Sequence, residues 1–169
     1  MNYLFQTERL RLRDMTMEDV PAMIELNSDP DVLRYTGDGA FESVQQAEEF
    51  FAGRIAQYEH DGFGRWICEL KSTGEIIGWC GLKKHPNGSV DVGYRFFKRH
   101  WGKGYGTESC KASIERGFTI HHLSLIYAEA RVENIPSIRI MEKCGMKFAF
   151  DHKGCDGDTR VYEIHAPSK

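Results

Sequence analysis

The chain has 169 residues, 22 Lys+Arg against 25 Asp+Glu, and is 41% hydrophobic, which at about 100–200 residues per domain gives a single domain spanning 1–169 around one core. Its net charge of −3 excludes a nucleic-acid binder that works through a broadly basic face and leaves room only for a local basic site. Cys68, Cys80, Cys110, Cys144 and Cys155 are dispersed and contain no C-x-x-C pair, and no basic leader or apolar run of about 20 residues is present, so the chain reads as a reduced, cytoplasmic protein with neither disulfide framework, zinc site nor membrane span.

Arg9-Leu10-Arg11-Leu12-Arg13 alternates as a half-buried strand does. Thr16 with Asp19 three residues later marks a helix start ahead of Val20, Met23, Ile24 and Leu26. Ser43 and Gln46 mark a second, after which Val44, Ala47, Phe50, Phe51, Ile55 and Tyr58 recur at helical spacing up to Asp61-Gly62. Three strand-like runs follow, 64–71, 75–83 and 90–97, separated by Ser72-Thr73-Gly74 and His85-Pro86-Asn87-Gly88 as in an antiparallel meander. A helix is expected over 105–120, a strand over 123–131, and a helix opened by Pro136 and closed by Gly145. Strands at 146–150 and 159–165 finish the chain. A meander joined to a βαβ-like unit predicts an α+β fold with helices packed on a mixed sheet.

The densest signal is Arg99-His100-Trp101-Gly102-Lys103-Gly104-Tyr105-Gly106-Thr107-Glu108, between a strand and a helix. Three alternating glycines let backbone amides converge on a ligand, and the helix N-terminus adds partial positive charge. No acid lies between Asp91 and Glu108, whereas Arg95, Lys98, Arg99 and Lys103 all do, so a phosphate would be at home there. The Walker pattern G-x-x-x-x-G-K-[ST] is absent, which disfavours a nucleotide kinase, and G-x-G-x-G so far along the chain departs from the dinucleotide fingerprint.

Arg99-x-x-Gly102-x-Gly104 resembles the pyrophosphate loop of the GNAT N-acetyltransferases. Thr7-Glu8-Arg9-Leu10-x-Leu12-Arg13, Val92-Gly93-Tyr94, Asn134-x-x-Ser137 and Glu142-Lys143-Cys144-Gly145-Met146 are similar to the branch of RimJ/RimL-type ribosomal-protein N-terminal acetyltransferases. The resemblance implies the GNAT acyl-CoA N-acyltransferase fold: a mixed, mostly antiparallel sheet splayed between its fourth and fifth strands, with about four helices. It also implies acetyl-CoA as cosubstrate, no metal, and direct transfer of the acetyl group to a primary amine. The amides of His100, Trp101, Gly102, Lys103, Gly104, Tyr105, Gly106 and Thr107 would hold the pyrophosphate, supported by Arg99 and Lys103. The main chain of Val92, Tyr94 and Phe96 would pair with the pantetheine arm, the two aromatic side chains reading as core. Asn134 would bond the pantetheine and Ser137 would protonate the leaving thiolate, although Asn, Pro136 and Ser also suit a plain helix start. Many relatives place a Tyr acid where Met141 stands here, and Met donates no proton.

An α-amine of pKa ~7.7–8.0 is roughly a fifth to a third neutral at pH 7.4, a lysine near ~10.4 about once in a thousand. A base working through water therefore helps an N-terminus modestly and a lysine greatly, and Asp91 and Glu129 are the carboxylates placed to serve. Either could equally be an ion-paired sheet-edge residue. His85, His121 and His122 have no metal or triad spacing and read as surface histidines, and Cys110 and Cys144 as small apolar residues. The resemblance also implies that the acceptor meets residues 35–41 and about 152–158. In or beside them Asp38, Glu42, Asp151, Asp156 and Asp158 would suit a cationic amine, as they would any solvated loop. Such an amine would be a peptide N-terminus, an amino acid, a polyamine or an aminoglycoside. A non-catalytic acyl-CoA-binding module is the alternative, and monomer and homodimer are both compatible.

Overall fold

The computed structural model describes residues 3–154 and 157–167; the expectations for Cys155 and Asp156 lie outside them. A short strand, β1 (Phe5–Gln6), pairs with β2 (Leu10–Arg13), which leads through a 3-10 turn into α1 (Val20–Leu26). Asp19 reaches back to accept the Thr16 amide at 2.8 Å, closing the expected start signal. A four-residue helix, α2 (Pro30–Leu33), then precedes α3 (Val44–Asp61). α3 opens where Ser43 accepts the Gln46 amide at 3.1 Å and ends where Gly62 turns left-handed at φ 77°.

The meander is β3 (Arg65–Leu70), β4 (Ile76–Lys84) and β5 (Val90–Phe96), followed by α4 (Tyr105–Thr119), β6 (Leu125–Arg131), α5 (Ile135–Lys143), β7 (Lys147–Gly154) and β8 (Gly157–His165). The sheet runs β1-β2-β3-β4-β5-β6-β8-β7, every neighbour antiparallel except β5 and β6. Those two meet in parallel at a single register position, Asp91 opposite Tyr127, and separate beyond it. Counted from β2 they are the fourth and fifth strands, so the expected splay is present. The final hairpin is longer than its sequence suggested: 151–154 pair with 157–160, so Asp151 and Asp158 sit on strands rather than in an open loop.

Strand alternation divides the core between the two faces of the sheet. Trp66, Cys68, Cys80, Leu82, Val92, Phe96, Ile126 and Ala128 pack with Cys110 and Ile114 of α4 and Ile138 and Met141 of α5. On the other face, Ile67 packs with Met23 and Leu26 of α1 and Ala47 and Phe51 of α3. That second face also buries an ion network, in which Arg13 binds Asp19 through two nitrogens at 2.8 and 2.7 Å and Glu69 at 2.7 Å. Hydrogen bonds from Arg13 to Asp19 raise its pKa still further despite burial, fixing it as a cation.

Candidate active site

The glycine loop is held from outside by the first residues of the sheet. Glu108, in the first turn of α4, accepts Thr7 Oγ1 at 2.6 Å, the Arg9 amide at 2.8 Å and Arg9 Nε at 2.7 Å. Arg9 Nη1 also donates to the Lys103 carbonyl at 2.9 Å, and its guanidinium lies 4.6 Å over the Tyr105 ring. The Thr7-x-Arg9 pair is thus a clamp on the loop, a role nothing in its local sequence announced. Gly102 and Gly104 take φ of 74° and 84°, conformations that cost a side chain strain. A Cβ on Gly104 would also stand 3.3 Å from Arg9 Nη2. The amides of Gly102 through Thr107 find no protein acceptor among the described residues, and at a helix N-terminus such a set attracts an anion.

The cations of the acid-free stretch are largely met by acids from elsewhere in the chain. Arg95 binds Asp38 at 2.6 Å and also bonds Asn27; Lys98 binds Asp31. Arg99 lies between Glu75 at 3.2 Å and Glu25 at 3.1 Å. His100 is buried with Nε2 3.0 Å from Glu75, and hydrogen bonds from His100 and Arg99 hold the Glu75 carboxyl below the ordinary range. Lys103 is exposed and has no acidic partner among the described residues. Trp101 is exposed over the loop, its Nε1 donating to the Phe96 carbonyl at 2.8 Å.

Between the splayed strands, β5 pairs with β4 along its whole length but with β6 only at Asp91. Beyond the Val92 amide, the β6-facing backbone groups of β5, among them the amides of Tyr94 and Phe96, are therefore left without a strand partner, and the Phe96 carbonyl is taken by Trp101 Nε1. Across the gap, the Tyr94 hydroxyl lies 2.9 Å from Ser137 Oγ and 3.0 Å from the Ser137 carbonyl. Phe96 is core, as expected of its side chain, but the Tyr94 side chain carries the polar contact that spans the site. Burial raises the Tyr94 pKa well above 10, so it stays protonated. Asn134 does cap α5, its Oδ1 accepting the Ser137 amide at 3.3 Å, a geometry that orients Ser137 in the first helical turn. Met141 is buried in the core.

The opposite face of β5 presents Asp91, Gly93 and Arg95. Arg65 crosses it, binding Asp91 Oδ2 at 2.7 Å, while His85 Nε2 lies 3.1 Å from Asp91 Oδ1. Both oxygens of Asp91 are thereby engaged. His85 is half-buried beside Tyr127 and His121 packs on Phe63 and Trp66, so neither is the ordinary surface histidine its spacing suggested. Glu129, beyond the last β5–β6 pair, is half-exposed with one oxygen 3.3 Å from His152. Cys68, Cys80 and Cys110 are buried, and burial pushes the Cys80 thiol up to about 11. No cluster of three metal-ligating side chains occurs among the described residues, and none of their helices is long and apolar enough to cross a membrane.

Comparison with known proteins agrees with this architecture. The uncharacterized N-acetyltransferase p20 of Bacillus licheniformis is 36% identical over 138 residues, covering 80% of this chain and 77% of p20. A GNAT-family acetyltransferase from Bacillus anthracis superposes with a TM-score of 0.83 at 27% identity, over 95% of this chain and 96% of that one. RimL, the ribosomal L7/L12 alpha-N-protein acetyltransferase solved with coenzyme A, shares the fold at a TM-score of 0.85 and 16% identity, over 98% of both chains. The family model described as an acetyltransferase (GNAT) domain matches residues 9–147, and with most of its length so matched the chain belongs to the GNAT acetyltransferase family.

Proposed function

We propose that this protein transfers the acetyl group of acetyl-CoA to a primary amine. The observation that carries the reading is the continuity of unpaired backbone donors, from the Gly102–Thr107 amides to those of Tyr94 and Phe96 on the free edge of β5, ending beside the Tyr94–Ser137 pair. These groups fit the donor: a diphosphate on the glycine loop, an amide-bearing arm along the strand edge, and a thioester beside a hydroxyl. The donor supplies an activated carbonyl; the amine nitrogen bonds to its carbon as the carbon–sulfur bond breaks.

The backbone amide of Tyr94, on the free edge of β5, would stabilise the charge growing on the carbonyl oxygen. With the single phenol proton of Tyr94 turned from the Ser137 carbonyl to its Oγ, the serine proton is free to pass to the departing sulfur and is replaced through water, which answers the missing acid at Met141. Glu129, with one carboxylate oxygen unengaged, is better disposed than the doubly bonded Asp91 to take the ammonium proton through water. Asp91 then acts as the anchor of Arg65. The buried thiols support a cytoplasmic location.

Calorimetric titration with coenzyme A, paired with thiol release from acetyl-CoA across a panel of amines, tests the proposal. Binding and turnover, with Ser137→Ala and Glu129→Gln both slowing turnover, are expected. No binding of coenzyme A would sink it. Binding with no turnover of any amine would favour the acyl-CoA-binding module instead.

A further inference from the structure

The face of β5 turned toward α1 and α3 is charged, and its charges do not balance. Gly81 and Gly93 stand opposite one another in β4 and β5, flanked by the pairs Trp79–Arg95 and Lys83–Asp91. This makes a floor without side chains, across which the Arg65 guanidinium lies: a Cβ on Gly93 would stand 2.8 Å from Arg65 Nη2. Arg65 and Arg95 approach the Trp79 ring at 5.5 and 5.6 Å. Asp91 is taken by Arg65 and His85, and Asp38 by Arg95.

Two further cations remain. Lys83 is half-buried opposite Asp91, and Arg54 of α3 is half-buried with its guanidinium 4.9 Å over Phe50. Neither has an ion pair or hydrogen-bond partner among the described residues. Both lie within the field of Asp38, Asp91 and Arg65, and burial, reinforced by neighbouring positive charge, lowers the pKa of each. Half-buried cations with no counter-ion are costly unless a ligand supplies one. Even with Glu129 counted on the rim, four cations face three carboxylates. Of the acids expected to greet a cationic amine, Asp38 is held by Arg95 and Asp151 by Arg160 at 2.9 Å through both oxygens, whereas Glu42 and Asp158 carry no ion pair among the described residues.

We infer that Lys83 and Arg54 form an anion subsite of the acceptor pocket, and that the acceptor is a small amine carrying its own carboxylate or phosphate. The placement rests on the acetyltransferase reading, because it is the opening of the β5–β6 gap beside Asp91 that puts the reacting carbon next to this face. The anion would sit between Lys83 and Arg54 over the glycine floor, with the amine directed toward the gap. A polyamine would meet repulsion there and a neutral peptide N-terminus would leave both cations unpaired.

Calorimetry on the protein saturated with coenzyme A separates these classes without turnover. The ligands are matched pairs, β-alanine against β-alaninamide and phosphoethanolamine against ethanolamine, with spermidine as polycation. The anionic member of at least one pair should bind about tenfold or more tightly than its neutral partner, as a charge-assisted contact supplies, and the pair that shows it distinguishes carboxylate from phosphate. Lys83→Met should bring that pair within about twofold, and Lys83→Arg should restore the preference. Charge-independent binding, no binding by any member, tightest binding by spermidine, or a preference indifferent to Lys83→Met overturns the inference. Repeating the titrations without coenzyme A keeps this outcome separate from the acetyltransferase proposal, which falls only if coenzyme A itself fails to bind.

Discussion

The two faces of β5 carry opposite chemistry on one seven-residue strand. Toward α4 and α5 it shows Val92, Tyr94 and Phe96, an apolar surface whose one polar reach is the Tyr94 hydroxyl to Ser137. Toward α1 and α3 it shows Asp91, Gly93 and Arg95, set among Arg65, Lys83 and Arg54. Strand alternation alone makes the division, and the splay lets both faces reach the same gap. One side suits a departing sulfur that needs a proton; the other suits a charged acceptor. The two faces of the sheet also cohere differently, the first through apolar contact, the second through apolar contact joined to a buried ion network at β2 and β3.

The largest expected effect breaks that difference in cohesion. Arg13→Met leaves Asp19 and Glu69 buried without their shared cation, and stability measured by urea denaturation should fall by about 3–5 kcal/mol. Ile114→Val, in the apolar core of the α4 face, should cost only about 0.5–1.5 kcal/mol. Equal losses would mean that the ion network contributes no more than ordinary packing.

The next effect sharpens the chemical difference. Ser137→Ala should lower kcat by about a hundredfold, the scale of a lost general acid, and do so equally for every acceptor. Tyr94→Phe, which removes the hydroxyl behind the serine, should lower it less. Neither should alter the acceptor preference, which belongs to the other face. A change in preference in Ser137→Ala would show that the faces do not act separately.

Much of this division could be read in the sequence because it rests on local rules. Ser43 with Gln46 and the left-handed Gly62 bounded α3, and the glycine loop was placed by its own composition. β1, with two residues, and α2, with four, are too short to show periodicity. The electrostatics were harder, because charge is balanced across space. Arg95, Lys98 and Arg99 form a run of cations in sequence, but Asp38, Asp31, Glu75 and Glu25 meet them in the fold. Lys83 and Arg54 sit apart in sequence among ordinary neighbours, and only the fold shows that they lack partners. The Arg9–Glu108 clamp spans 99 positions, which no local pattern encodes.

Loop and strand edge can be uncoupled by a smaller change. Gly104→Ala imposes a side chain at φ 84° and 3.3 Å from Arg9 Nη2. The strain of about 1–2 kcal/mol should weaken coenzyme A binding by roughly tenfold on the calorimeter. The β5 edge and the anion preference should be unaffected. Undiminished coenzyme A binding would mean that the loop amides are not its main contact.

The smallest effect concerns a thiol at the seam between loop and α5. Cys144 is half-buried with Sγ 3.7 Å from the Thr107 carbonyl, while Cys68, Cys80 and Cys110 are enclosed. A hydrogen bond from Cys110 lowers the Cys144 pKa and outweighs its burial. Since the thiolate is the nucleophile, lower pKa and partial access both favour Cys144. Limited iodoacetamide labelling followed by peptide mass mapping should therefore modify Cys144 before Cys68, Cys80 and Cys110. Coenzyme A on the Gly102–Thr107 amides would order the Thr107 backbone against this sulfur and slow the labelling, whereas β-alanine, confined to the opposite face of β5, should not. Protection by β-alanine alone would place the acceptor on the wrong side of the sheet and undo the division that the strand imposes.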